Sequence, residues 1–321
     1  MPSLDDMTST GAKFWHHPDQ MQAYKDGTGK SVITTHISPE GACNLTCSYC
    51  SVSKRDTHSR LSLDDIFVYL NALQPRGLKA VILTGGGEPM AYPYFGYVVS
   101  VIHSRELKIG LITNGTLSHR LDSHHWGYFD WVRVSINTFP GWQQKIKIPD
   151  IPGTVGLSYC YHKDEDVWDD ILRKADELKA EYIRVLPDCT LPQKELIEWH
   201  QKLDAVLPND KRFIHQPKLH AAPQSSICHQ SYFRPYLHES GLVYPCDSVV
   251  LNDSPGKFIG KYALCKAADI GQYLDRKTEH GFNPIHDCSG CVFTGTVNML
   301  EDYVKGRVVR EATAVQDPDF V

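Results

Sequence analysis

Apolar residues recur along the first two thirds of this chain in two alternating patterns. Short apolar runs of strand length occur six times, and longer segments with apolar residues at helical spacing separate most of them. The predicted strands span residues 31–38, 79–84, 109–113, 131–137, 155–161 and 182–186. Strands that alternate with helices in this way form a parallel sheet joined by right-handed crossovers.

Ser62 marks the clearest predicted helix start. Its hydroxyl can accept a hydrogen bond from a backbone amide of the first turn, and Asp64 and Asp65 suit the positive end of the helix dipole. Apolar residues at helical spacing then continue to Pro75. Further helices are predicted at 94–103, 119–129, 167–178 and 195–207.

The alternation stops near residue 217, where the chain becomes richer in turn residues. Five of its ten cysteines follow that point. We therefore divide the 321 residues into three parts, with the main boundary near 209–225. They are an irregular N-terminal lead (1–30), an α/β domain (31–215) and a small cysteine-rich domain with a C-terminal tail (216–321).

The composition narrows the range of partners. A net charge of −5 argues against a general nucleic-acid binder. The polar first ten residues lack the apolar core of a signal peptide, and no apolar run approaches the roughly 18 residues of a membrane span. We expect a cytoplasmic protein without a membrane partner. In that compartment, metal ligation is a better interpretation of the ten cysteines than disulfide bonding.

Three cysteines lie close together in residues 40–50, which we call the cysteine loop. Cys43, Cys47 and Cys50 are separated by gaps of three and two residues. A [4Fe–4S] cluster is normally held by four thiolates, so three would leave one iron open to another ligand. The alternatives are a zinc site, which needs four ligands, and three unrelated buried thiols.

A run of glycines follows the second predicted strand. Residues 84–89, which we call the glycine loop, contain Gly85, Gly86, Gly87 and Glu88. Glycines let the backbone approach a ligand closely, and the carboxylate of Glu88 would complement an ammonium group. Taken alone, this run is only a weak candidate for a phosphate-binding loop.

The two motifs, in this order, resemble those of the radical S-adenosylmethionine (SAM) superfamily. The resemblance implies an open (β/α)6 partial TIM barrel in which the cysteine loop holds a [4Fe–4S] cluster and its open iron binds SAM. It places Tyr49 beside the adenine, and the glycine loop with Glu88 at the SAM amino group. Ser135 and Asn137 match the position where this family binds the SAM ribose.

Three further polar residues could line the same cavity. Thr113 and Asn114 end the third predicted strand, beside the strand that carries Ser135 and Asn137. The alternative to ribose binding by Ser135 and Asn137 is that they are only the polar end of a strand, capped in a turn. Arg184 could bind the SAM carboxylate or a substrate anion in a catalytic role, but it could equally be an exposed strand arginine.

A second set of cysteines lies in the last third of the chain. Cys228, Cys246, Cys288 and Cys291, which we call the C-terminal cysteine set, are enough for a cubane cluster or a structural zinc. Residues 241–246 resemble the start of the SPASM and twitch extensions of radical SAM proteins. That resemblance implies a twitch-type domain with one auxiliary [4Fe–4S] cluster, in a cysteine pattern similar to that of 2-deoxy-scyllo-inosamine dehydrogenase.

Three cysteines remain outside both sets. Cys265 lies between the second and third predicted auxiliary ligands and is an alternative to one of them. Cys160 and Cys189 lie in or just after predicted strands, where we expect buried structural thiols.

The resemblance implies an enzyme that cleaves SAM reductively to a 5′-deoxyadenosyl radical, which abstracts a hydrogen atom from a substrate. An auxiliary cluster with four thiolate ligands has no open iron, so we expect it to accept an electron as an oxidation is completed. The predicted function is oxidation of a polar small molecule, such as an alcohol or amino sugar. The reducing electron would come from a donor such as flavodoxin or ferredoxin.

Two other functions stay open. Radical modification of a peptide or nucleotide is the alternative enzyme function, although the N-terminal lead is too short for a separate peptide-recognition domain. A non-catalytic metal-binding or electron-transfer protein is the alternative from another class. The glycine loop opposes that alternative, because electron transfer needs no SAM pocket.

Overall fold

Seven parallel strands form the middle of the fold, and their order in space follows their order in the chain. The computed structural model describes residues 3–7, 10–219, 221–222, 224–252, 260–275, 282–288 and 290–321. The seven strands are β1 (Thr34–Ile37), β2 (Ala80–Leu83), β3 (Lys108–Thr113), β4 (Trp131–Ile136), β5 (Thr154–Tyr161), β6 (Tyr182–Pro187) and β7 (Phe213–His215). Six of them confirm the predicted strands.

Three short strands extend the same sheet on the other side of β1. β8 (Tyr236–Leu237) pairs parallel to β1, while β9 (Leu242–Tyr244) and β10 (Cys265–Lys266) continue it in antiparallel order. Among the described residues the sheet stays open, since β7 and β10 are its two edges. This is the parallel α/β architecture expected of a partial barrel, and strands from both sides of the predicted domain boundary share it.

The helices lie mainly in the crossovers between parallel strands. The α-helices are α1 (Leu4–Met7), α2 (Pro18–Asp26), α3 (Leu63–Leu73), α4 (Phe95–Ser104), α5 (Trp142–Lys145), α6 (Trp168–Glu177), α7 (Gln193–Val206), α8 (Gln230–Phe233), α9 (Ile270–Asp275), α10 (Pro284–Asp287) and α11 (Thr294–Val304). Short 3-10 helices span Ala12–His16, Gln74–Arg76, Pro89–Ala91, Ser118–Arg120, Ser123–Tyr128, Asp247–Asn252 and Ala267–Asp269. Among the described helices, none is both long and apolar enough to cross a membrane.

The predicted start of α3 is confirmed in detail. The Ser62 hydroxyl accepts a hydrogen bond from the Asp65 amide at 3.0 Å, and the Asp65 carboxylate accepts one from the Ser62 amide at 3.4 Å. This reciprocal capping box satisfies two backbone donors at the helix start. Helix α3 therefore begins directly after the cysteine loop and its return segment.

Two predictions about local structure are wrong. The lead at 1–30 is not irregular, because α2 and a 3-10 helix bury Phe14, Met21 and Tyr24 against the core. These apolar residues are few and lie among polar ones, so the helical pattern was weak. The predicted helix at 119–129 is instead two 3-10 helices, because Leu121 and Asp122 adopt extended backbone conformations between them.

Alternation along β4 shows which face of the sheet encloses the interior. Val132, Val134 and Ile136 are fully buried against the helices, whereas Arg133 and Ser135 on the opposite face are only partly buried. Successive side chains of a strand point to opposite faces, so Arg133 and Ser135 face the concave interior of the sheet. The interior is therefore built for polar ligands.

The last residues of the chain close the amino-terminal end of that interior. Phe320 packs edge-on against Trp131 with ring centroids 5.4 Å apart, in a small apolar cluster with Ala80 and Ile82. Arg234 donates a hydrogen bond to the carbonyl of Val321 at 3.0 Å. The interior is thus covered at this end, while the cysteine loop lies at the opposite, carboxyl end of the strands.

Candidate active site

The cysteine loop lies at the carboxyl end of β1 and is anchored at its base. The amide of Gly41 donates to the carbonyl of Ser59 at 2.9 Å, and the buried Glu40 pairs with Arg60 at 2.6 Å. Inside the loop, the Cys50 amide donates to the Cys47 carbonyl at 3.2 Å. These bonds form a tight turn that brings the three thiols of the loop close enough to interact electrostatically.

Hydrogen-bond donors surround the sulfur atoms of the loop. The Leu45 amide lies 3.5 Å from Cys43 Sγ, and Arg55 Nη1 lies 3.7 Å from Cys50 Sγ. Burial raises the pKa of the Cys43 and Cys47 thiols, while the positive charge of Arg55 lowers it. Three soft sulfur ligands with adjacent donors fit an iron–sulfur cluster. No sequence pattern singled out Arg55, which reaches Cys50 through the turns that follow it.

The glycine loop packs directly on the cysteine loop. The Gly87 amide donates to the Glu40 carbonyl at 2.8 Å, and the Glu88 amide donates to the Ala42 carbonyl at 2.9 Å. A Cβ atom at Gly87 would overlap the Ala42 carbonyl. Glycine at this position therefore permits a backbone ladder between the two loops, which fixes their relative position.

The carboxylate of Glu88 is almost fully buried, with 2% of its surface exposed. Oε1 accepts hydrogen bonds from Thr113 Oγ1 at 2.6 Å and the Met90 amide at 3.2 Å, and Oε2 accepts one from the Asn114 amide at 2.8 Å. Burial raises the pKa of this carboxyl group, and the three donors lower it. Glu88 thus ties the glycine loop to the end of β3. Its contact with a SAM amino group stays a prediction.

Tyr49 and Asn137 meet beside the cysteine loop. The Tyr49 hydroxyl donates to Asn137 Oδ1, which also lies 3.3 Å from Cys47 Sγ. The Tyr49 ring contacts the His162 ring with centroids 4.3 Å apart. Asn114 reaches the same loop from β3, with Nδ2 lying 3.8 Å from Cys43 Sγ. The ends of three strands therefore converge on the three cysteines.

The three cysteines, the glycine loop and the ends of β3 and β4 line one open cavity of 520 Å³, which we call the upper cavity. Its volume is within the range typical of small-molecule and cofactor sites. Its walls hold every cysteine-loop ligand and cofactor-binding residue predicted from the sequence: Cys43, Cys47, Tyr49, Cys50, Gly85, Gly86, Gly87, Glu88, Asn114, Ser135, Asn137 and Arg184. The structure thus brings the predicted residues together, and their individual roles stay predictions.

Cys160 and Cys189 also line the upper cavity. Both are partly exposed there, so the expectation of buried structural thiols is wrong for their surroundings. Cys160 lies on the interior face of β5, two residues beyond Ser158, and Cys189 follows the end of β6. Residues at the carboxyl ends of barrel strands point into the site, which explains their exposure.

The C-terminal cysteine set also comes together, beside a small second core. Cys228 and Cys246 each interact electrostatically with Cys288 and Cys291. The surrounding apolar side chains are those of Tyr236, Tyr244, Val249, Tyr262 and Phe282. Burial raises the pKa of the Cys228 and Cys246 thiols, so a metal that binds thiolates would offset the cost of ionising them.

Cys265 lies apart from that set. It forms β10 beside Val243, and its side chain packs against the main core rather than the second one. Burial raises the pKa of the Cys265 thiol to about 12. Four sulfur donors without Cys265 therefore fit a cubane cluster or a zinc ion, and the identity of that metal stays a prediction.

Comparison with known proteins concerns the part of the chain that carries the cysteine loop and the glycine loop. The family model described as the radical SAM superfamily matches residues 37–141, which include the cysteine loop and the glycine loop. A GTP 3′,8-cyclase of Aliarcobacter butzleri is 28% identical over 30% of this chain and 31% of its own length. An S-adenosylmethionine-dependent nucleotide dehydratase of Selenomonas ruminantium is 32% identical over 26% of this chain and 30% of its own length.

The matches span about a third of the length of these curated relatives. Among solved structures, Streptococcus suis SuiB bound to its precursor peptide SuiA is similar, with a TM-score of 0.48 and 13% identity. That similarity covers 87% of this chain and 67% of SuiB. The family model thus relates residues 37–141, about a third of the chain, to the radical SAM superfamily.

Proposed function

We propose that this chain is a radical SAM enzyme that oxidises a polar small molecule by two electrons. The observation that carries the proposal is the upper cavity, where three free cysteines, the glycine loop and the polar ends of β3 and β4 share one wall. A protein that only stored metal or carried electrons would not need a cavity of this size beside the cysteines. The matched family model covers this part of the chain.

The roles of the residues follow from their positions around the cavity. Cys43, Cys47 and Cys50 would hold the cluster, with Arg55 and the Leu45 amide stabilising their negative charge. When bound, the cluster supplies the electron that divides SAM into methionine and a 5′-deoxyadenosyl radical. The glycine loop binds the SAM amino group, and the remaining cofactor contacts are those of Tyr49, Glu88, Asn114, Ser135 and Asn137.

The proposed reaction balances over two one-electron steps. A substrate carbon loses a hydrogen atom to the adenosyl carbon, giving 5′-deoxyadenosine. The substrate radical then loses one electron and one proton, so that an alcohol becomes a carbonyl or an amine becomes an imine. One electron enters when SAM is cleaved and one leaves the substrate. The C-terminal cysteine set, holding a second [4Fe–4S] cluster as a twitch-type domain does, would accept the electron that leaves.

A nucleotide substrate is the second candidate, because both curated relatives reported above are described as acting on nucleotides. A peptide substrate is the third candidate, one of the alternatives that the sequence leaves open. All three classes need the same radical chemistry at the upper cavity. The three classes differ in the part of the substrate that would occupy the interior beyond the reacting carbon.

The experiment that tests the oxidation is a Cys288→Ala/Cys291→Ala variant. If the second site only accepts an electron, the variant should still transfer deuterium from a labelled substrate to 5′-deoxyadenosine and release little oxidised product. Circular dichroism and retention of about four irons per chain would show that the variant is folded with its first cluster intact. Cys265→Ala is the matched control, because it removes a cysteine outside both sets and should leave product formation unchanged.

A well-folded double variant that forms product at the normal rate would overturn the electron-acceptor role. Zinc in place of iron at the second site, after anaerobic preparation, would also overturn it. The first site would be unaffected by either result.

A further inference from the structure

Arg184 lies in the barrel interior, in a row with two serines. Strand pairing aligns Ser135 with Ser158 and Ser158 with Arg184, one row below Asn137. Two residues along a strand span roughly 7 Å, so Arg184 lies deeper than the residue that contacts Cys47. Both Nε and Nη2 of Arg184 donate to Ser158 Oγ, at 3.2 and 2.9 Å.

No carboxylate of the described residues forms an ion pair with Arg184. Burial lowers the pKa of Arg184 to about 9 and the neighbouring charge of Arg133 lowers it further, while Asp247 opposes them without forming an ion pair with Arg184. A buried charge without an opposite charge is costly, and a bound anion would offset that cost. The guanidinium therefore lies in a position that an anionic ligand would stabilise.

Lys218 is a second cation that lines the same cavities as Arg184. It follows β7, and its Nζ lies 6.0 Å from the centre of the Phe293 ring. Within the described part of the chain it makes no ion pair with a carboxylate. Lys218 and Arg184 both line the upper cavity and also a smaller one of 180 Å³ beneath it, which we call the lower cavity.

The described lining of the lower cavity holds fewer acids than cations: Asp6, Asp247 and Asp317 against Lys13, Arg133, Arg184, Lys218 and Arg234. Asp247 lies 3.4 Å from His36 Nδ1 and 4.0 Å from Arg234 Nη2. The lining aspartates Asp6 and Asp317 act electrostatically on Lys13, at the end of the cavity near the chain terminus. Excess positive charge therefore remains at the junction of the two cavities.

We propose that Arg184 and Lys218 bind the phosphate group of a phosphorylated small-molecule substrate. This inference rests on the proposed function, since it places the reacting part of that substrate in the upper cavity. A phosphate group carries a charge of about −1.5 to −2 at neutral pH, which matches two cations, whereas a carboxylate would neutralise only one. The planar guanidinium suits phosphate oxygens, and the lysine adds a compact charge.

The lower cavity has room for such a group. Its volume is more than ten times the roughly 10–15 Å³ that one water molecule needs in a cavity. The carboxylate of SAM is the competing ligand for Arg184, since it too is an anion bound at the upper cavity. Simultaneous binding of SAM and phosphate separates the two assignments.

The test is a calorimetric titration of inorganic phosphate into the anaerobically reconstituted protein, once without SAM and once with saturating SAM. We expect phosphate to bind in both conditions, and acetate to bind at least tenfold more weakly. Arg184→Gln and Lys218→Gln should each weaken phosphate binding about tenfold or more. The matched controls Arg120→Gln and Lys194→Gln change exposed side chains and should leave it unchanged.

Three results would overturn the proposal: no phosphate binding by the wild-type protein, equal binding by the double Arg184→Gln/Lys218→Gln variant, or loss of phosphate binding when SAM is added. The last result would assign Arg184 to the SAM carboxylate. Iron content of each variant shows whether it is folded. Phosphate binding in a protein that never forms 5′-deoxyadenosine would contradict the proposed function and leave the anion site standing.

Discussion

The two cysteine sets are built on different kinds of scaffold. The cysteine loop spans eleven residues and is held by backbone hydrogen bonds to the glycine loop and to Ser59. The C-terminal cysteine set is spread from Cys228 to Cys291, near strands of two or three residues and a small aromatic core. The first site is therefore supported by the barrel, whereas the second has little regular structure around it.

This difference indicates what each metal would do for the fold. A site positioned by preformed backbone contacts keeps its shape without the metal, so the surrounding fold does not depend on metal binding. A site whose ligands come from separate, weakly structured segments gains its order from the metal, and the binding free energy becomes folding free energy. We therefore expect the first metal to serve chemistry and the second to serve both stability and electron transfer.

The largest expected effect comes from removing the first site. A Cys43→Ala/Cys47→Ala/Cys50→Ala variant should form no 5′-deoxyadenosine, because no ligands remain for the SAM-cleaving cluster. It should keep about four of about eight irons, and its melting temperature should stay close to that of the wild-type protein. Iron analysis and thermal unfolding check this. A melting temperature that falls by ten degrees or more would show that the barrel depends on this metal.

Removing two ligands of the second site should affect stability more than the first removal does. The Cys288→Ala/Cys291→Ala variant should lose about half of the iron and melt several degrees lower, since its second core loses its cross-link. The Cys265→Ala control should melt within about two degrees of the wild-type protein. Equal melting temperatures for the double and triple variants would remove the contrast between the two sites.

Sequence patterns predicted the barrel strands and the first site because both follow local rules. Apolar runs gave six strands, and parallel strands bring their carboxyl ends to one edge, so the cysteine loop, Glu88, Asn114 and Asn137 had to lie together. The short strand β7 was missed because three residues, all only partly buried, are too few to show a strand pattern.

Other parts of the site depend on tertiary contacts that no local pattern encodes. Arg55 reaches Cys50 only because the cysteine loop folds back, and the interior position of Lys218 depends on where the chain goes after β7. The sequence pattern places Arg184 on its strand. Only the packing of the neighbouring strands shows that it bonds to Ser158 and forms no ion pair with an acid of the described residues. Charge compensation is a property of the packed interior.

Glu88 links the glycine loop to β3, so its replacement should weaken the first site without dismantling it. Glu88→Gln keeps the shape but cannot accept hydrogen bonds at both ends, which leaves a buried donor unsatisfied at a cost of about 1–3 kcal/mol. We expect SAM affinity, measured by equilibrium binding, to fall about tenfold. The exposed Glu195→Gln is the control. Unchanged affinity would show that the glycine loop is positioned without this carboxylate.

Glu239 links the part of the sheet near the C-terminal cysteine set to the glycine loop. It follows β8, and its Oε2 accepts a hydrogen bond from Ser38 Oγ at 2.7 Å, while Ser38 Oγ accepts one from the Gly86 amide at 2.6 Å. Burial raises the pKa of Glu239 to about 7 from 4.5, and the bond from Ser38 lowers it. His238 Nε2 lies 3.3 Å away, but burial lowers the pKa of His238 to about 4, so it is neutral when Glu239 ionises.

The smallest expected effect is a pH-dependent one at Glu239. The folded state binds this proton more tightly than the unfolded state, so the group stabilises the protein below about pH 4.5, and that contribution is lost as pH rises to about 7. The difference corresponds to at most about 3 kcal/mol. Glu239→Gln cannot ionise, so its melting temperature relative to the wild-type protein should rise by a few degrees between pH 5 and pH 8. A constant difference would show that Glu239 is solvated.

The most direct test of the central claim is the yield of 5′-deoxyadenosine from the reconstituted protein after reduction in the presence of SAM. We predict 5′-deoxyadenosine and methionine in equal amounts from the wild-type protein, from the Cys265→Ala control and, while it stays folded, from the Cys288→Ala/Cys291→Ala variant. We predict none from the Cys43→Ala/Cys47→Ala/Cys50→Ala variant. A wild-type protein that holds about eight irons and binds SAM, yet yields no 5′-deoxyadenosine on reduction, would contradict the account.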